Sequence, residues 1–153
     1  MISSFMNLAL QQARQAFSCG EIPVGALLVD HRSQTIIFSG HNQVEATKDP
    51  TAHAEILAIQ RASQHFQTAI LSFCDLYVTL EPCPMCAQAI SFARLRRVIF
   101  GAFNPKGGGI DHGPQIFNPA FGNWQPEIVG GIQATECQDL LSTFFQQLRK
   151  SHF

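Results

Sequence analysis

Apolar residues at Phe5, Leu8, Ala9, Ala13, Ala16 and Phe17 recur at helical spacing until Gly20, which predicts an amphipathic N-terminal helix. The apolar run over residues 24–29 then predicts a buried strand. A polar turn from His31 to Gln34 precedes a second strand over 35–38, and the two should pair as a hairpin. Residues 40–51 read as loop. A second helix is predicted over 52–66, with Leu57, Ala58 and Ala62 toward the core. Alternation over 76–80 gives a third strand ending at Pro82, and a helix runs from near Cys83 to Ala93. Strands over 97–101 and 127–129 flank residues 103–123, a stretch rich in Gly, Pro and Asn and too long for a simple connection. Loops of that kind usually carry function. A last helix covers 135–150. This order predicts an α/β fold with helices on both faces of one sheet, in a single domain over residues 1–153.

Composition narrows the setting. The chain is 46% hydrophobic and only 14% charged, which excludes a disordered or coiled-coil protein and suggests that a second copy covers some apolar surface. A net charge of −1 gives no electrostatic case for nucleic-acid binding, although a sum does not exclude a local basic patch. No apolar stretch approaches the ~18 residues of a membrane span, and the first residues lack the basic start of a signal peptide. A cytoplasmic protein with reduced cysteines is therefore expected. The odd count of five cysteines also argues against a disulfide framework.

Two short stretches carry the chemistry, His53-Ala54-Glu55 and Pro82-Cys83-Pro84-Met85-Cys86, each opening a helix. Cysteines three apart lie on one helix face, and a helix N-terminus favours thiolates. With His53 they form a soft set suited to one zinc ion per chain, and three protein ligands leave the fourth position open, as in catalytic sites. Zinc in such a site lowers the pKa of a bound water from 15.7 toward ~7. Glu55, two residues from His53, is placed to shuttle the proton, a role that typically contributes ~10²–10⁴-fold. Other readings of the same residues stay open. Cys83-x-x-Cys86 after a strand is also a thioredoxin-like redox arrangement, and a structural zinc site could be closed by Cys74 or Cys137.

The pairing of His-x-Glu with Pro-Cys-x-x-Cys resembles the cytidine deaminase-like superfamily. Within it, three stretches resemble the bacterial tRNA-specific adenosine deaminases: residues 21–26 (Glu-Ile-Pro-Val-Gly-Ala), residues 49–55 ending at Glu55, and residues 76–83 ending at Cys83. Glu136-Cys137 followed by Phe144-Phe145 is similar to that family's last helix. The resemblance covers nearly the whole chain. It implies a three-layer α/β/α deaminase fold with a five-stranded mixed sheet, a homodimer, and conversion of the wobble adenosine of a tRNA anticodon stem-loop to inosine. It also implies that Asn42 contacts the flipped nucleotide, that the Ala54 backbone helps hold the base, and that Phe145 lies at the substrate.

Three features depart from the family pattern. Asn104 stands where an acidic residue is common, which bears on recognition of the ribose. Asn123-Trp124-Gln125 replaces Asn-His-Arg and removes a positive charge from an RNA-facing loop. Pro84 is shared with the guanine deaminases, so a free-base or nucleoside deaminase remains the alternative. Phosphate contacts would come from Lys106, Arg149 and Lys150, and stacking from Phe103 or Trp124. The plainer reading leaves Arg94, Arg96, Arg97, Arg149 and Lys150 as cations at helix ends, most of the thirteen phenylalanines in the core, and Cys19, Cys74 and Cys137 as buried small hydrophobes. His112 could lie near the pocket, whereas His31, His41, His65 and His152 read as surface residues.

Overall fold

The apolar run expected over 24–29 forms β1 (Gly25–Asp30), in which every residue is buried. A computed structural model describes residues 1–151 and places β1 between β2 (Thr35–His41) and β3 (Cys74–Leu80), antiparallel to both. β4 (Arg97–Ala102) and β5 (Glu127–Val129) continue the sheet in parallel, giving the order β2-β1-β3-β4-β5. The sheet is therefore five-stranded and mixed, as the family resemblance implied.

Burial on both faces explains why β1 and β3 are continuously apolar. Ala26, Leu28, Leu76, Val78, Val98 and Phe100 belong to one core with α3 (Ala54–Phe66) and α4 (Pro84–Ala93). Leu27, Val29, Tyr77 and Ile99 meet Phe5, Met6 and Ala9 of α1 (Ile2–Ser18) from the other side. Cys137 of α5 (Ala134–Lys150) lies against Gly101 and completes that second layer. Among the described residues no helix is long and apolar enough to cross a membrane.

Several boundaries differ from the sequence reading, each for a tertiary reason. β2 runs on to His41 because Gly25 pairs with it, and β3 starts at Cys74 because Asp30 does the same there. The loop over 40–51 contains a short helix, α2 (Val44–Thr47), whose Glu45 and Ala46 amides donate to the Glu21 carboxylate at 3.0 and 2.8 Å. The stretch 103–123 holds a 3₁₀ turn, Pro119–Phe121, capped by Asn118. Leu57 is only half-buried, because α3 turns its alanines Ala54, Ala58 and Ala62 inward. Leu8 is exposed, and so is Cys19, which falls just past the end of α1. Of the phenylalanines, Phe5, Phe100 and Phe144 are buried, whereas Phe92, Phe103, Phe121 and Phe145 are exposed. His31 and His65 are exposed and His41 half-buried; His152 lies outside the described residues.

Close helix–sheet contact leaves one position no room for a side chain. A Cβ on Gly25 would run into the Ala9 carbonyl and lie 2.5 Å from the Ala13 amide nitrogen. Overpacking against backbone is not relieved by rotamer changes, so Gly25→Ala is expected to lower stability by about 3 kcal/mol. A shift of the urea midpoint at unchanged slope would measure it; a midpoint equal to wild type would show that α1 can slide away.

Candidate active site

β3 leads through Glu81 and Pro82 to Cys83, the N-cap of α4, and His53 is the N-cap of α3. Both residues keep extended backbone angles (φ −72°, ψ 150° for His53; φ −70°, ψ 170° for Cys83), and neither side chain caps its own helix. Their side chains are thus free to turn toward each other. Pro84 follows at the first helical turn, where its fixed φ suits the helix and no amide is lost. Cys86 then lies on the same side as Cys83.

The His53 Nδ1 is 3.6 Å from the Cys83 Sγ and 3.4 Å from the Cys86 Sγ. Zinc–nitrogen and zinc–sulfur bonds of about 2.0 and 2.3 Å at a tetrahedral angle put nitrogen and sulfur about 3.5 Å apart, so the donor set fits zinc. Among the described residues these three are the group within reach of one ion. Cys74 and Cys137 are buried elsewhere and do not join it, so no fourth cysteine closes a structural site.

The charges at the site are mutually constraining. A hydrogen bond from Cys86 holds the Cys83 thiol down to about 4 against burial, with His53 assisting. Cys86 is pushed up by that thiolate, by burial and by Glu55. His53 is raised by its bond to Cys83, in spite of burial. Glu55, only 4% exposed, is pushed up to about 7 by burial, with the Cys83 charge adding to it. The cluster thus resists carrying several negative charges at once, and a divalent cation is the species that would relieve it.

His53, Glu55 and Cys83 form the floor of a cleft of about 660 Å³, with Cys86 buried behind them, and the walls are Glu21, Asn42, Leu80, Asn104, Phe144 and Phe145. Asn42 is buried, and its Oδ1 accepts from the Ala54 amide at 2.8 Å. The two groups expected to meet the substrate separately therefore hold each other, and Asn42 fixes the start of α3. A second cleft of about 730 Å³ shares Asn104, Leu80 and Phe145 with the first and adds Phe103, Lys106 and Arg149. Other candidates lie elsewhere. Trp124 donates from its indole to the Leu95 carbonyl at 2.9 Å, and Arg96 and Arg97 bind Asp75. Glu81, to which the sequence reading gave no role, lies in the cleft wall. Burial alone would raise its carboxyl, but the amides of Asn104, Ile110 and Asp111 and the His112 ring bring it below its ordinary value.

The cytidine and deoxycytidylate deaminase zinc-binding region matches residues 1–102. A tRNA-specific adenosine deaminase of Rickettsia felis is 42% identical over 144 residues, covering 94% of this chain and 100% of its own. The chain belongs to the tRNA-specific adenosine deaminase family. A solved structure from work on A-to-I editing by tRNA:A34 deaminases at the wobble position of transfer RNA superposes on this family member with a TM-score of 0.85. It has 42% identity and covers 90% of this chain and 99% of the other. A guanine deaminase of Bacillus subtilis is 39% identical but aligns over 65% of this chain and 63% of its own, with a TM-score of 0.61.

The buried Glu55 should cost this deaminase stability when the metal is stripped. Below its ordinary value of 4.5 both folded and unfolded chains hold the proton; as pH rises to about 7 the unfolded chain releases it first, so stability falls. The loss is about 3 kcal/mol at about 1.36 kcal/mol per pH unit. Metal-free Glu55→Gln is expected to exceed metal-free wild type by that amount near pH 8 and to match it near pH 4.5. Urea titration at both values checks this, and equal stabilities near pH 8 would contradict it.

Proposed function

We propose that this chain is a single cytoplasmic deaminase domain that converts the wobble adenosine of a tRNA anticodon stem-loop to inosine and ammonia, with one molecule of water consumed. The observation that carries the reading is the convergence of His53, Cys83 and Cys86 beside Glu55 at a cleft that shares a wall with a second one bearing Lys106 and Arg149. Bound through His53, Cys83 and Cys86, zinc supplies a Lewis acid that acidifies water. Glu55 performs the proton transfers: it accepts a proton from the water and delivers it to the purine ring nitrogen, then takes the second proton from the hydroxyl newly added at carbon 6 and delivers it to the departing amine, which leaves as ammonia.

The adenine must leave the anticodon stack to reach this floor, and the tRNA adenosine deaminases are among the enzymes from which the base-flipping rule is drawn. Asn42 and the Ala54 backbone frame the base. Asn104, in the wall common to both clefts, faces the ribose with a neutral amide. Phe145, 37% exposed, offers a stacking face, and Lys106 and Arg149 pair with flanking phosphates. α4, which carries Cys86, exposes Phe92 at 74% and Met85 at 37%, and a second copy of the chain covers this face in a homodimer.

Incubation with an anticodon stem-loop carrying a wobble adenosine should yield inosine, followed by mass. Glu55→Ala should keep its zinc and lose at least about 10²-fold in turnover. A substantially active variant would remove Glu55 from the role given to it. Xanthine from free guanine, with the RNA untouched, would move the activity to the free-base deaminases. Phe92→Asp should convert the dimer to monomer in sedimentation; an unchanged mass would place the interface elsewhere.

A further inference from the structure

Glu81 stands where β3 turns toward the Cys83 cap, and its side chain is completely enclosed. A buried carboxylate must have its oxygens satisfied. One oxygen, Oε2, accepts the amides of Ile110, Asp111 and His112 at 3.2, 2.9 and 3.1 Å. The other, Oε1, accepts the Asn104 amide at 3.1 Å and lies 2.8 Å from the His112 Nδ1. A carboxylate only accepts, so the imidazole carries its proton on Nδ1. Successive amides turned onto one anion form a backbone concavity around it. The loop after β4 is therefore folded around a charge from β3, and its two ends, Asn104 and His112, meet on the same oxygen.

What hangs on that oxygen is the turn facing substrate. Asn104 lines both clefts, its Oδ1 accepts the Gly107 amide at 3.0 Å and its carbonyl accepts the Gly108 amide at 2.8 Å. Lys106 rides on this turn. His112 does not line either cleft, and its ring hydrogen-bonds Glu81 rather than any of His53, Glu55, Cys83 and Cys86. Yet it supplies the one side-chain donor to the Glu81 oxygen that also holds Asn104.

We propose that His112 is a positioning residue: its Nδ1–H clasps Glu81 and so holds the Asn104–Lys106 turn in place for RNA at the junction of the two clefts. This rests on the RNA reading given above. A turn that is correctly placed only a fraction of the time raises the apparent KM by the inverse of that fraction and leaves the chemical step alone. A hydrogen bond to a charged group is large enough to shift the turn's occupancy about tenfold.

Asn is the informative replacement, because its Nδ2 occupies the place of the imidazole Nδ1 and can donate to Glu81. His112→Ala is expected to raise KM for the anticodon stem-loop about tenfold with kcat within about twofold and with zinc content unchanged. His112→Asn should restore KM to within about twofold. Amide exchange at residues 104 and 110–112 should quicken about tenfold in His112→Ala, and in His112→Asn stay as slow as in wild type. Wild-type KM and exchange in His112→Ala, or no rescue by Asn, would overturn the clasp, as would loss of zinc or of global stability in His112→Ala. Exchange is read without substrate, so a wild-type enzyme inert toward RNA would refute the RNA reading while leaving the clasp to be decided.

Discussion

Separations of 3.4 and 3.6 Å between one imidazole nitrogen and two sulfurs oblige α3 and α4 to begin side by side. Small residues make that approach feasible. α3 turns Ala54, Ala58 and Ala62 into the same core in which α4 places Ala87 and Ile90. β3 and β4, parallel and fully covered, deliver the chain to the α4 start from beneath. Asn42 then pins the α3 start by taking the Ala54 amide, and Glu21 secures α2 beside it. Two of the three candidate metal ligands, His53 and Cys83, are thus N-caps whose helices are held by other residues, which leaves their side chains free of capping duty.

The same arrangement concentrates groups that cannot all be charged without a cation. Enclosure of Glu55 opposes its ionisation and holds its carboxyl up to about 7 in the metal-free chain, with the Cys83 charge adding to it. The 4% exposure of this carboxyl therefore works against folding of the metal-free chain at neutral pH. Zinc binding and stability are linked through Glu55.

Local pattern made the strands, the long helices and the four chemical residues readable. β1 and β3 announce themselves as apolar runs, and His53, Glu55, Cys83 and Cys86 sit in two short motifs at helix starts, which the fold then brings together. What escaped depends on partners distant in sequence. α2 is capped by Glu21, more than twenty residues upstream, so its own four residues hold no helix signal. Glu81 reads as one acid in a motif, and only the fold shows four loop amides turned upon it. Trp124, read as a stacking candidate, spends its indole N–H on the Leu95 carbonyl. The exposed phenylalanines follow no local rule, because their burial is decided by which faces the sheet leaves open.

The departures from the family pattern can be weighed on these contacts. Asn104 makes its turn by accepting the Gly107 amide, a bond an aspartate would make equally well. The fold is therefore indifferent to the exchange, and its effect falls on the clefts that Asn104 lines. A neutral residue there leaves the neighbouring Lys106 charge uncompensated toward a phosphate. Replacement of His-Arg by Trp124-Gln125 removes positive charge, but from a segment anchored to Leu95 and outside both clefts. The gain in positive potential lies beside the proposed substrate path and the loss lies away from it.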